Sequence, residues 1–142
     1  MILCDVNVLL YAFRGDVTRH GEYRRWLSDR LTGNEPFGVA DLVLGALIRI
    51  ATHPRIFRQP STTDEAFAFA AALRSCPNAV PVAPGARHWD LFHGLCRSAA
   101  ARGNLVPDAY FAALAIESGC EWITTDRDYS RFPGLRWKHP LD

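Results

Sequence analysis

Lysine is nearly absent from this chain. Of the 16 basic residues among 142, only Lys138 is a lysine and the other fifteen are arginines. Chemistry that needs a lysine beside a phosphate therefore has one candidate, four residues from the C-terminus. Paired cysteines are missing too. Cys4, Cys76, Cys96 and Cys120 form no C-x-x-C pair and sit among apolar residues, which argues for reduced core thiols over a disulfide frame or a zinc site. The five histidines (His20, His53, His88, His93, His139) show no H-x-x-x-H spacing, so the other common zinc signature is lacking. No apolar run is long enough to span a bilayer, and no basic leader with a small-residue cleavage site precedes the first one. The expectation is a cytoplasmic protein without a membrane. A net charge of +1 predicts no global attraction to nucleic acid. No repeat, linker or low-complexity stretch divides the chain, so residues 1–142 read as a single domain.

What is present is apolar. Hydrophobic residues make up 49% of the chain, enough for a packed core and too many for disorder. The run Ile2 to Ala12, "ILCDVNVLLYA", is short and rich in β-branched residues and reads as a buried strand. A helix is expected over roughly His20 to Leu31, started near Asp16 to Thr18, with Tyr23, Trp26, Leu27 and Leu31 at helical spacing. Thr32 to Gly38 reads as a loop. Val39 to Thr52 is apolar almost all round and reads as a buried helix ended by Pro54. Thr62 and Glu65 form a capping box for a helix to about Arg74. "NAVPVAP" is a short strand or link. Gly85 to Gly103 reads as a helix with Gly103 as C-cap. The next helix carries Asp108 in its first turn, with Pro107 disfavouring helix at Val106, and ends at Gly119. Glu121 to Asp126 reads as a second buried strand and "LRWKH" as an edge strand. Strands alternating with helices predict an α/β fold: a three-layer α/β/α sandwich around a mostly parallel central sheet.

One carboxylate, Asp5, interrupts the opening apolar run, and a buried carboxylate is costly unless something pairs with it. Asp5 falls near the C-terminal end of the first strand, and Asp126 falls at the end of the last inner strand. Ligands bind in the crevice outside such ends in open parallel sheets. Asp108 opens the helix just before that last strand and faces the same crevice. Three converging carboxylates repel and raise one another's pKa. A hard divalent cation resolves the conflict, Mg²⁺ by ligand type or Mn²⁺ as a substitute, and such an ion suits phosphoryl hydrolysis. Each acid also has a plainer reading as a turn or helix-start residue, so the argument rests on the set. Around it, Asn7 is a candidate partner of Asp5 or of water on the ion, and Thr125 a second supporting polar group. Thr124 reads as ordinary β propensity and Asp128 as a solvated or capping residue. Arg14 and Arg19 are candidate phosphate contacts, with a solvated helix face as the plainer alternative. Arg49, alone in an apolar helix, either pairs with an acid of the site or snorkels outward.

These segments resemble the PIN-domain family, and within it the VapC toxins of type II toxin–antitoxin modules. The resemblance lies in "LCDVNVLLYA", "LIRIATHPRIF", "NLVPDAYFAALAIESG" and "ITTDRDYSRFPGLRW". It implies a metal-dependent endoribonuclease that cleaves RNA with Mg²⁺ or Mn²⁺. Asp5, Asp108 and Asp126 match the family's acids. The implied partners are an RNA substrate, a VapB-type antitoxin and a second copy of the chain. The pattern departs in one place: many PIN domains carry a glutamate in the helix that here is Val39 to Thr52, and this segment has none. Asp41, its only acid, is either the replacement or a helix-start residue. Two other functions compete. A PIN fold with a weakened acid set would be an RNA- or antitoxin-binding module. An aspartate-based phosphatase would want a second acid where Asn7 stands and a lysine near the phosphate.

Overall fold

The computed structural model describes residues 1–142. Strand β1 (Ile2–Cys4) passes into helix α1 (Val6–Phe13), then α2 (His20–Thr32), β2 (Phe37–Val39), α3 (Asp41–Ala51), α4 (Thr63–Arg74), β3 (Ala79–Pro81), α5 (His88–Ser98), α6 (Leu105–Ser118), β4 (Glu121–Ile123), a 3₁₀ turn (Arg127–Arg131) and β5 (Trp137–Lys138). The strands lie in the order β3-β2-β1-β4-β5, and every pair is parallel, with Ile2 opposite both Phe37 and Glu121. Parallel strands need crossover connections, and helices supply them here, so the sheet is covered on its faces. The mostly parallel sheet expected from the sequence is parallel throughout.

The opening apolar run is not one strand. It breaks at Asp5, whose backbone is extended (φ −65, ψ 154) and whose carboxylate caps α1. Strand and helix are both buried, so apolar residues continue across the break and periodicity cannot mark it. Other boundaries shift as well, α3 starting at Asp41 rather than Val39 and β4 ending at Ile123 rather than Asp126. The segment Thr32 to Gly38 is not all loop, because Phe37–Val39 pairs with β1. Helix α6 starts at Leu105 and includes Val106 and Pro107; first-turn N–H groups have no partner inside a helix, so proline loses nothing there. Helix α5 stops at Ser98 rather than Gly103. Ala100 turns left-handed (φ 48) and the Ala101 N–H reaches back to the Cys96 carbonyl at 2.8 Å, a helix-ending pattern usually built on glycine. Asp16 to Thr18 do not cap α2. The residue before it is Arg19, left-handed at φ 62 with no side-chain cap.

Other expectations match. The Thr62 hydroxyl accepts from the Glu65 N–H, and the Glu65 carboxylate accepts from the Thr62 N–H. Thirty-one buried apolar residues form one core. Helix α6 lays Ala109, Ala112, Ala113 and Ala115 wholly inside it, small side chains that let the helix approach β4 closely. Gly38 does the same for β1 and β2: a Cβ there would stand 2.9 Å from the Ile2 carbonyl oxygen. All four cysteines are free thiols, and no helix is long and apolar enough to cross a membrane.

Candidate active site

Strands β1 and β4 are neighbours, with Cys4 opposite Ile123. The Asp5 N–H extends their ladder one step, donating to the Ile123 carbonyl at 2.8 Å, so the Asp5 backbone is pinned at the C-terminal edge of the sheet. Its carboxylate is buried, 6% exposed, and both oxygens are engaged. Oδ1 accepts from the Val6 N–H at 2.7 Å, and Oδ2 accepts from the Thr124 hydroxyl at 2.6 Å. The same Thr124 oxygen accepts from the Asp126 N–H at 3.0 Å. One fully buried hydroxyl therefore ties the side chain of Asp5 to the backbone of Asp126. Asp126 in turn accepts from the Asp128 N–H at 2.8 Å and starts the 3₁₀ turn. That turn buries Tyr129, whose hydroxyl donates to Asp108 Oδ1 at 3.3 Å.

The electrostatics describe one pocket. The pKa of Asp5 is raised to about 6, by burial first and then by the charges of Asp108 and Asp126, against the hydrogen bonds from Thr124 and Val6. Asp108 is also raised, by burial first, then by Asp126 and Asp128. Tyr129 is held in its protonated, donating form by burial and by the charges of Asp5, Asp108 and Asp126 around it. Burial and the adjacent Asp5 charge push the Cys4 thiol up as well, so it is no nucleophile.

An all-oxygen set of mutually repelling carboxylates, one of them buried, suits a hard cation. No three acids are close enough to enclose an ion by themselves. Water would have to complete the shell of any divalent ion held there.

The remaining polar candidates separate from this pocket. Thr124, the residue after β4, and not Thr125, makes the hydrogen bonds; Thr125 makes none with its side chain. Asn7 is the second residue of α1, half-buried, with no hydrogen bond to Asp5. Asp41 is exposed and paired with Arg74 across α3 and α4. The pair sits at a groove of about 570 Å³ lined by Leu44, Ile48 and Phe67, and its charge is not among those acting on Asp5 or Asp108. Arg14 is not a free phosphate contact. It is 8% exposed, stacks at 3.9 Å on Phe57, and donates to Asp16, Ser61 and the Gln59 carbonyl. Arg19 is exposed and paired with Glu22. Arg49 extends outward without an acidic partner. Tyr129 joins the pocket unannounced, while the Asp128 carboxylate stays exposed, as the solvated reading has it, and acts on the pocket only through its charge on Asp108. An aromatic three residues past an acid reads as core.

With a parallel sheet and carboxylates at its C-terminal edge in place, the chain matches the PIN domain family model over residues 2–135 and belongs to the PIN-domain family. Its relatives are more specific. It is 42% identical to ribonuclease VapC43 of Mycobacterium tuberculosis over 142 residues, covering 100% of this chain and 97% of that one. It is 44% identical to ribonuclease VapC31 of the same organism over 140 residues, covering 99% of each. Among solved structures, VapBC2 from Rickettsia felis bound to a promoter DNA fragment matches with a TM-score of 0.71 at 17% identity, covering 98% of each chain.

Proposed function

We propose that this chain is an endoribonuclease, the toxin of a type II toxin–antitoxin pair, and that it hydrolyses RNA phosphodiester bonds with Mg²⁺, or Mn²⁺ in its place. The observation that carries the reading is Asp5: a buried carboxylate at a sheet edge, destabilised by Asp108 and Asp126 and neutralised by no basic residue of the chain. The relatives' names, all VapC ribonucleases, support it.

Asp5, Asp108 and Asp126 are the residues that would hold the ion. Bound there, it would lower the pKa of water and offset charge developing on the phosphate. The chain's own part is to hold the carboxylates still. Thr124 fixes Asp5 and the Asp126 backbone together, and Tyr129 orients Asp108. The α1 cap keeps Oδ1 of Asp5 turned toward the Val6 N–H. Held charges that do not reorganise during reaction are the main means by which such sites stabilise a transition state. Exposed single-stranded RNA is the substrate class, since paired RNA hides its base edges. Arg19, together with Arg24 and Arg25, which are exposed on α2, is a candidate contact to it. A VapB-type antitoxin and a second copy of this chain complete the set of partners.

The test is cleavage of RNA by the purified chain with and without Mg²⁺. The wild type should cleave only with the ion, and Asp5→Asn and Asp108→Asn should not cleave. Cleavage that persists in either variant overturns the assignment. One observation favours a second reading, that of a PIN-fold binding module: α3 carries no glutamate, and Asp41 is taken up by Arg74. RNA binding without cleavage at any Mg²⁺ or Mn²⁺ concentration would select it.

A further inference from the structure

Between Leu42 and Thr63 the chain has no acidic residue in 22 positions, yet it carries Arg49, Arg55 and Arg58. The whole chain sums to +1, so the other 120 residues sum to −2. The positive charge is therefore concentrated in one segment, and its centre is the connection between α3 and α4. This connection has no helix or strand, but it is built. The Ser61 N–H closes it onto the Ala51 carbonyl at 2.9 Å, and the Ile56 and Phe57 N–H groups both reach the His53 carbonyl. His53 Nδ1 accepts from the Arg55 N–H at 3.1 Å. Arg14 fills the inside, stacked on Phe57 and bonded to Gln59 and Ser61. A surface loop closed at its ends and packed on its own side chains is a form that frequently serves function. Here Arg55 and Arg58 are exposed with no acidic partner, and Ile56 between them is 52% exposed.

Helix α1 separates Asp5 from Arg14, the residue that holds this loop. Asp5 caps its N-terminus and Arg14 caps its C-terminus, and eight residues at 1.5 Å each make about 12 Å. An RNA strand stacked at ~3.4 Å per nucleotide spans that in about four steps.

We propose that the loop Thr52–Ser61 is a phosphate-binding subsite, in which Arg55 and Arg58 hold the RNA backbone about one α1 length from the scissile bond. The proposal rests on the nuclease reading and adds a site to it. Arginine forks match phosphate oxygens bidentately. Arg14 contributes indirectly, by fixing the loop that presents the other two. A basic loop could also meet an acidic protein segment; the spacing from Asp5, which a substrate strand needs and a protein partner does not, favours RNA.

The test uses the full chain in an Asp5→Asn background, so that RNA stays intact. Its probe is a labelled single-stranded RNA that extends beyond the subsite. Changing Arg55 and Arg58 to Gln together should weaken binding about tenfold. The slope of log affinity on log salt should fall by about 1.4, because each single-strand phosphate left without its arginine removes about 0.7. The Lys pair keeps the charges and should keep most of the slope. The gap between Gln pair and parent should narrow as the RNA is shortened. An unchanged affinity and slope in the Gln pair overturns the proposal. So does a Lys pair as weak as the Gln pair with a lowered melting temperature, because the loop's shape would then be at stake and not its charge. A Gln pair that binds RNA normally but loses an acidic protein partner overturns it in favour of that partner. A wild type that cleaves no RNA defeats the nuclease reading itself, whereas a cleaving wild type with an unaffected Gln pair defeats the subsite alone.

Discussion

The two ends of α1 treat charge in opposite ways. At its N-terminus, Asp5 is buried beside Asp108 and Asp126, with two hydrogen-bond donors but no cation, and its pKa climbs to about 6. At its C-terminus, Arg14 is just as buried, yet it meets Asp16, two further oxygen acceptors and an aromatic face. Like burial thus leads to different roles. A charge neutralised inside the chain builds structure, while a charge left unneutralised is available to something outside it. By this measure the acids need a cation and Arg14 does not need a phosphate. The loop that Arg14 supports hands that role to Arg55 and Arg58, which have no acidic partner.

The strongest way to break this comparison is at the acid end. Asp5→Asn keeps an N-cap but removes the charge, and cleavage of RNA in Mg²⁺ should fall by about 10³-fold or more. Gel analysis of a labelled RNA reads this, and residual cleavage near the wild-type rate would show that Asp5 is not what the ion needs. The same substitution has an opposite effect on stability. A carboxyl whose folded pKa is raised binds more protons folded than unfolded, so its contribution is favourable below the usual carboxylate range and is lost as pH rises toward about 6. Above that pH the metal-free fold carries the cost, on the order of 1–3 kcal/mol. Asp5→Asn should therefore raise the melting temperature of the metal-free chain most at pH 8, by about half as much at pH 5, and hardly at all below the usual carboxylate range. Equal shifts at the two pH values would mean that the fold does not raise the pKa of Asp5. At the other end, Arg14→Met leaves the Gln59 carbonyl and Ser61 hydroxyl without their donor, at a cost of about 2 kcal/mol. Thermal melting should show a loss of several degrees, independent of added Mg²⁺.

Much of this contrast is visible in the amino-acid sequence, and the invisible part has a physical cause. The alternation of apolar runs with capped amphipathic segments makes the parallel sandwich legible. The capping box of Thr62 and Glu65 sits where spacing places it. Asp5 stands out because a charge inside an apolar run is costly, and Asp126 because a strand ends beside it. Burial of the charge on Arg14 is not legible: its partners Gln59 and Ser61 are 45 and 47 positions away, and no local pattern announces a contact at that range. Thr124 and Thr125 are chemically alike and both follow β4, so only the folded chain shows which one turns toward Asp5. Tyr129 looks like any core aromatic until the 3₁₀ turn places its hydroxyl on Asp108.

Tyr129→Phe sharpens the comparison from inside the acid pocket. It removes one hydroxyl from a ring that otherwise stays packed between Trp122 and Phe132, at centroid distances of 5.4 and 5.8 Å. Groups that orient a metal-binding carboxylate are typically worth about 10- to 100-fold in metal affinity. The Tyr129–Asp108 hydrogen bond is long at 3.3 Å, so a loss nearer the low end, about threefold to tenfold, is expected in a Mn²⁺ binding isotherm.

The smallest effect belongs to Arg19, which tests the rule from the opposite side. Its charge is matched by Glu22 at 2.7 Å, but both side chains are about half exposed, and an ion pair in water contributes little. Its backbone is left-handed at φ 62, a conformation in which a side chain is a liability and glycine is not. Arg19→Gly removes the ion pair and relieves the backbone together, so the two changes oppose each other. The melting temperature should stay within about 2 °C of wild type, against the several degrees lost when Arg14 is changed. A large loss at Arg19 would mean that exposure does not separate an arginine the fold needs from one whose loss the fold tolerates, and the distinction drawn between the two ends of α1 would need another basis.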